Sequence, residues 1–262
     1  MRKASIREKI EGRMKRYLAE NLYKRRRVMR SSTPLISFTF DDFPRSSLSI
    51  GGAILRAHGI RGSFYACFSL LGKRTKLGDM FNQADIEYLL SQGHELGCHT
   101  ADHLHPWVTP PALFEKSVLV NMQRLKDMIP GIVLRSFSYP LAYPKPQVKR
   151  KIAEYFECCR CGGQKNNTGV VDLNLLNAYF LEFSTGNADP VIELIELNKQ
   201  VNGWLIFATH DISEQPSQHG CTPAFFKQIV GYSMASGARI VPVIEAYENI
   251  FASEPAIRLS VT

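Results

Sequence analysis

The sequence predicts an α/β domain on a mostly parallel, closed or nearly closed sheet, preceded by a basic helical arm. Three observations predict it. Short apolar runs alternate with longer stretches of helical period, the pattern of right-handed β–α crossovers. Roughly seven such repeats favour a barrel over an open sheet. The 262 residues, 45% apolar and 21% charged, suit one large domain with a real core and exclude a disordered chain.

The elements follow in order. Leu35 to Phe40 alternates as a strand after the linker Ser31-Ser32-Thr33-Pro34. Ser46 to His58 is a helix closed by Gly59, and Gly62 to Phe68 an aromatic-rich strand. Asn82 caps a helix that ends before Gly93. Glu95 to Cys98 is a short strand, and Pro111 to Met128 a helix with proline in its first turn. Val133 to Ser138 is a strand, Pro146 to Phe156 a helix, and Cys158 to Cys161 a buried strand. Leu176 to Phe183 is a strand, Asp189 to Val201 a helix and Trp204 to Thr209 a strand. Thr222 to Ser236 is a helix stopped by Gly237, and Arg239 to Val243 is the last strand.

The formal charge of +8 is concentrated at one end. Residues 1–30 hold 12 Lys/Arg against 3 Glu, which leaves 20 basic against 21 acidic residues elsewhere. Basicity therefore belongs to an arm, residues 1–33, and not to the domain over 34–262. Ile6, Ile10, Met14, Tyr17, Leu18 and Leu22 recur there at helical spacing. Such an arm suits packing on its own domain or on a second subunit, with an anionic membrane surface next and nucleic acid last. No apolar run reaches the ~18 residues of a membrane span, and Met1-Arg2-Lys3-Ala4-Ser5 does not read as a secretory signal. A cytoplasmic protein, peripheral at most to the inner face of the membrane, is the expectation. Six cysteines (67, 98, 158, 159, 161, 221) lack the spacing of a disulfide framework or of a paired zinc site.

Polar residues gather where predicted strands end. Asp41-Asp42, His99-Thr100-Ala101-Asp102-His103, Tyr139-Pro140 after a strand carrying Arg135, and His210-Asp211 each follow an apolar run. Four such ends share one rim of a parallel barrel, where its chemistry collects. His99 and His103 are four apart, so a helical turn faces both imidazoles to one side. With one aspartate they make a two-His-one-Asp set that leaves positions open to water and substrate. The other aspartate serves as base if something holds it ionised, and Arg135 is the candidate. His210 is a candidate acid toward a leaving amine.

Thr39-Phe40-Asp41-Asp42, His99-Thr100-x-x-His103, Arg135-Ser136-Phe137-Ser138-Tyr139-Pro140 and Leu205-Ile206-Phe207-Ala208-Thr209-His210-Asp211 resemble, in order and spacing, the motifs of the polysaccharide deacetylases. This is also called the NodB-homology or carbohydrate esterase 4 family. The resemblance runs from Pro34 to Tyr247, about four-fifths of the chain. It implies a distorted (β/α)7 barrel and a divalent metal, zinc first, with cobalt, nickel or manganese as alternatives. It implies Asp41 as base, Asp42, His99 and His103 as metal ligands, Arg135 as tether of the base and His210 as acid. It places substrate contacts at Tyr139, through its backbone, and at Pro140, Trp204 and Ala208. Two features depart from the family. The Asp motif that orients the catalytic histidine is missing, with Asp172 and Glu182 as substitutes. Ala208 stands where a leucine lines the acyl pocket. The expected activity is removal of an N-acetyl or similar acyl group from an amino sugar in a glycan or glycolipid precursor. A small non-sugar amide as substrate and a silent carbohydrate-binding module are the alternatives.

Overall fold

A computed structural model describes residues 5–141 and 143–251, with the side chains of 6–9 excepted. The first four residues of the arm, the side chain of Ile6 and the domain's last eleven residues lie outside the described set. In chain order the strands are β1 (Arg26–Val28), β2 (Leu35–Phe40), β3 (Ser63–Ala66), β4 (Arg74–Thr75), β5 (Gly78–Asp79), β6 (Glu95–Cys98), β7 (Ser136–Ser138), β8 (Cys158–Cys161), β9 (Val170–Asp172), β10 (Leu176–Asn177), β11 (Tyr179–Phe180), β12 (Trp204–Thr209) and β13 (Arg239–Ile240). The helices are α1 (Ile6–Asn21), α2 (Ala53–Arg56), α3 (Gln83–Ser91), α4 (Pro111–Met128), α5 (Pro146–Ile152), α6 (Asp189–Gln200), α7 (Pro223–Ala235) and α8 (Val243–Phe251).

The main sheet is parallel throughout and runs β10-β8-β7-β6-β3-β2-β12-β11. Its two ends are consecutive in the chain. Leu176 and Asn177 pair with Arg160 and Cys161 of β8, and then Tyr179 and Phe180 pair with Phe207 and Ala208 of β12. One short segment thus bridges both edges, and the path returns on itself as a nearly closed α/β barrel. The expected fold class is borne out. β13 explains the distortion. It pairs with Leu35 and Ile36 at the foot of β2, whereas β3 joins β2 only from Thr39.

Strand period sorts the side chains. Leu35, Trp204, Ile206, Ala208, Cys158 and Leu176 form one apolar cluster, while Ile36, Phe38, Phe40, Leu205, Phe207, Cys159 and Cys161 join the larger cluster with the helices. The cysteines of β8 are therefore alternate core residues, all unpaired and buried. By the same alternation Asp41, His99, Arg160 and His210 continue the inward rows of β2, β6, β8 and β12.

Several elements differ from expectation. The helix expected over Ser46 to His58 begins as a π-type turn over Ser47–Gly52, where a Cβ on Gly51 would stand 3.0 Å from side-chain atoms of Phe40 and Ile212. The strand expected over Leu176 to Phe183 ends at Phe180 and passes into a 3-10 turn over Leu181–Ser184. The hairpin of β4 and β5, the β1–β9 ribbon and α8 have no counterpart in the expected pattern. In the stretch drawn as arm and linker, β1 pairs antiparallel with β9. Arg25 donates to the carbonyls of Phe156 and Glu157. The buried ammonium of Lys149 donates to the carbonyls of Ala19 and Leu22. The C-terminal half of the arm is thus tied into the domain.

Candidate active site

β2 ends at Phe40, and Asp41 extends it by one residue through its N–H to the Thr209 carbonyl (2.9 Å). The chain then turns sharply. Asp42 and Phe43 have left-handed backbone, at φ 60° and 55°. β6 is extended in the same way by His99, whose N–H reaches the Ala66 carbonyl (3.1 Å). The turn that follows contains Thr100 (φ 64°) and His103 (φ 49°). Left-handed backbone is unfavourable for a bulky or β-branched residue and collects where function requires a fixed direction. The two imidazoles therefore converge through a turn with two left-handed residues, and not through a helical turn. Ser117 fastens it, accepting from Ala101 and Asp102 N–H groups and donating to the Asp102 carboxylate (2.8 Å).

Asp42, His99 and His103 bring one donor atom each within 4.8 Å of one another, the one group among the described residues that could hold a metal ion in this way. His103 Nε2 is 3.3 Å and His99 Nε2 3.7 Å from Asp42 Oδ1. His99 Nδ1 lies 2.8 Å from the Ser138 carbonyl. It donates there, which leaves the Nε2 lone pair free for a cation. Burial drives His99 down to about 3 and lowers His103, against the pull of Asp41, so both rings are neutral. Asp42 Oδ1 is buried with no hydrogen-bond partner. Burial raises its carboxyl to about 6, Asp41 adds to this and His210 opposes it. An orphaned carboxylate oxygen facing two neutral imidazoles fits a divalent cation: it is the site's missing charge.

Asp41 is fully buried beside this group. Burial works to raise its pKa, but the Arg160 guanidinium, His99 and His210 outweigh it and hold the carboxylate below its usual range. Arg160 Nη2 donates to Asp41 Oδ1. Arg160 is itself 1% exposed and lies over the Tyr65 ring at 4.6 Å. Gly97 makes room for that ring, since a Cβ there would stand 2.4 Å from Tyr65 Cε1.

The tether assigned to Arg135 is corrected by this geometry. Arg135 precedes β7 and stands at the foot of the barrel, where it forks onto Glu157 (2.7 and 2.8 Å) and reaches Glu248. The expected strand begins three residues before the observed one, which places Arg135 ahead of β7 and on the wrong rim. Arg160 was missed, although an arginine inside an otherwise apolar strand is a signal. A buried guanidinium needs a buried partner.

His210 directly follows β12 and lies close to Asp41 and Asp42. Its Nδ1 meets the His219 carbonyl at 3.2 Å, which directs Nε2 elsewhere. Burial lowers its pKa, while Asp41 and Asp42 pull it back up. Neither expected substitute orients it directly. Asp172 is spent on Lys149, the Arg25 N–H and the Asn174 N–H. Glu182 sits closer, with Oε1 3.9 Å from Nδ1 of His219. Asp211 points to the other face as strand alternation requires, accepting from the N–H and hydroxyl of Ser217.

The substrate contacts need three corrections. The Tyr139 N–H donates to the Arg160 carbonyl (3.0 Å) as part of the sheet, and is not free for an oxyanion. Its neighbour Pro140 is buried. Trp204 opens β12 at the foot, fully buried, with Nε1 on Ser37 Oγ (3.0 Å). Ala208 is fully buried too, with Phe180 as its register partner on β11. Phe180 stacks against His210 at 6.4 Å and was not anticipated.

Residues 29–156 match the polysaccharide deacetylase family model. The resemblance read from the motifs is borne out. The match spans just under half of the chain, with Asp41, Asp42, His99 and His103 inside it and Arg160 and His210 beyond it. Solved structures extend the likeness over the barrel. The carbohydrate esterase 4 domain of a xylanase from the hindgut metagenome of Trinervitermes trinervoides has 17% identity and a TM-score of 0.59, over 83% of this chain and 91% of that one. A family 4 acetyl xylan esterase from Clostridium thermocellum, in complex with a cobalt ion, has 19% identity and a TM-score of 0.58, over 81% and 90%. A family 4 pseudoenzyme from Bacillus anthracis has 9% identity and a TM-score of 0.59, over 84% and 67%. At these identities the polysaccharide deacetylase likeness of the whole barrel is one of fold. No curated protein matches the sequence significantly.

Proposed function

We propose that this protein is a metal-dependent hydrolase that removes an N-acetyl or similar acyl group from an amino sugar of a glycan or glycolipid precursor. The observation that carries the reading is the unpartnered Asp42 Oδ1 between two neutral imidazoles, next to a carboxylate that an arginine keeps ionised.

Asp42, His99 and His103 would hold the cation, with zinc first for two nitrogen donors and one oxygen. A cation bound there acidifies water and polarises an acyl carbonyl. Asp41 accepts the proton of the attacking water, because Arg160 keeps its carboxylate charged inside the barrel. Arg160 does more than neutralise. Its Nη2 bond fixes which Asp41 oxygen remains available. His210 delivers a proton to the departing amine nitrogen, its ring aimed by the His219 carbonyl. The stacked Phe180 shields that ring from water.

Turnover of N-acetylated oligosaccharides by metal-loaded protein, followed as released acetate, tests the reading. Hydrolysis that disappears in His103→Ala supports it. A metal-filled protein with no turnover on any acylated sugar would exclude it in favour of a silent fold relative.

A further inference from the structure

α1 is turned inside out relative to an ordinary surface helix. Among its described side chains Ala19 is the fully buried one, while Ile10, Met14 and Tyr17 are 60%, 55% and 62% exposed. These three share one face of the helix at spacings of four and three. The opposite side meets the domain through charged residues. Lys15 lies over the Trp107 ring (5.6 Å) and Arg16 over the Tyr143 ring (5.7 Å). An apolar stripe normally faces the core; here the helix is docked and the stripe still faces outward.

Its placement is fixed at both ends. Arg25, just after the helix, binds carbonyls at the foot of β8. Lys15 and Arg16 touch the loops that follow His103 and Tyr139 at the rim. The helix therefore climbs the outside of the barrel, and its first half, with Ile10 and Met14, stands at the end that holds the site.

Charge identifies the occupant. Residues 1–30 carry a nine-charge excess of Lys/Arg over Glu, and the remainder of the chain is nearly neutral. Arg13 flanks the stripe on the helix and is exposed. Exposed Arg26, Arg30 and Lys165 lie around the β1–β9 ribbon. That ribbon adds an outward pair, Val28 opposite Val170, 46% and 64% exposed. A second copy of this chain would bring like charges together across such a surface. An interface rich in anionic headgroups accepts both the apolar stripe and the basic flanks. Among the described residues no helix is long and apolar enough to cross a membrane, and the contact argued for is one of lying on the surface.

We propose that α1 docks the protein on an anionic lipid surface through Ile10, Met14 and Tyr17, with the flank of the barrel that carries α1 and the β1–β9 ribbon toward the bilayer. The inference concerns binding alone and stands or falls apart from the deacetylase reading. Co-sedimentation of the full chain with vesicles tests it. The expected result is binding to vesicles of equal parts phosphatidylcholine and phosphatidylglycerol, weak binding to phosphatidylcholine alone, and loss at raised salt. A triple Ile10→Ser, Met14→Ser, Tyr17→Ser variant, folded by circular dichroism, is expected to lose at least ~10-fold in partition, on the order of 1.4 kcal/mol. Equal binding by that variant, or no binding by the wild type, would overturn the proposal. So would a wild-type dimer in sedimentation velocity that the triple variant abolishes, since a second copy would then cover the stripe.

Discussion

Arg160 of β8 and Asp41 at the end of β2 meet across the barrel interior, joined by a hydrogen bond in which both partners are almost wholly buried. A charge pair at this depth is costly to desolvate and costlier to break. Its two spare guanidinium donors, Nε and Nη1, have no protein partner. Such a pair serves chemistry better than stability.

The first expectation separates the two arginines. Arg160→Ala leaves Asp41 buried and uncompensated, so its carboxyl rises and its use as a base is lost. Turnover is expected to fall by about 10²–10³-fold, the scale of losing one preorganised electrostatic group, with stability lower by about 3–5 kcal/mol. Arg135→Ala removes a half-exposed network at the foot and is expected to change turnover less than threefold or so. Steady-state rates with urea unfolding check both; equal losses would return the tether to Arg135.

Gly97 offers a remote handle on the same pair. Gly97→Ala drives a methyl into Tyr65, over which Arg160 lies. The expected outcome is lower stability, by about 1–3 kcal/mol as for other overpacked cores, together with lower kcat. Tyr65→Leu in the same chain relieves the clash and is expected to recover stability but not the full rate. Unchanged kcat in Gly97→Ala would show that Arg160 does not depend on its ring support.

How far the site could be read before folding follows from where its information lies. Asp42, His99 and His103 were legible because ligand type, spacing and family pattern agree over a short stretch. His210 was legible for the same reason, as the end of an apolar strand. Arg160 was not, because its meaning depends on which strand faces the end of β2 across the barrel, a long-range fact. Phe180 and Ser138 were missed similarly: one acts through register with Ala208, the other through a backbone carbonyl that carries no side-chain signature. The barrel itself was visible in the alternation of elements. Its closure by Leu176–Phe180 was not, since a five-residue segment that changes partners midway has no periodicity of its own.

Stability should fall on mild acidification through His94. Its Nδ1 accepts the Gly62 N–H (2.9 Å), which only the neutral ring can do. Burial lowers its pKa to about 4, with Arg56 and Arg61 adding to the effect. The unfolded chain binds this proton near pH 6.5 and the folded chain only near 4, so stability is full above 6.5 and declines between those values. The shift sets an upper bound of about 3 kcal/mol. His94→Gln keeps an acceptor without the titration. Urea midpoints from pH 7.5 to 4.5 are expected to fall less steeply in that variant; parallel curves would remove His94 from the account.

Glu182 and His219 bear on His210 unequally. The His210 ring is held by a main-chain carbonyl, which survives truncation of His219. His219→Ala is therefore expected to retain turnover within about fivefold, whereas Glu182→Ala opens space beside a buried group and costs stability as well. Burial lifts the Glu182 carboxyl to about 8, so Glu182→Gln is expected to match the wild type at neutral pH. A rate collapse in Glu182→Gln would mean that its charge, and not its shape, positions the acid.

Metal content measured beside turnover in Asp41→Asn and His103→Ala tests the central claim most directly. Asp41→Asn is expected to purify with its metal and to lose nearly all turnover, while His103→Ala loses both together. Near-normal turnover in Asp41→Asn, or full metal retention in His103→Ala, would contradict the division into an arginine-held base and a separate Asp42–His99–His103 metal site.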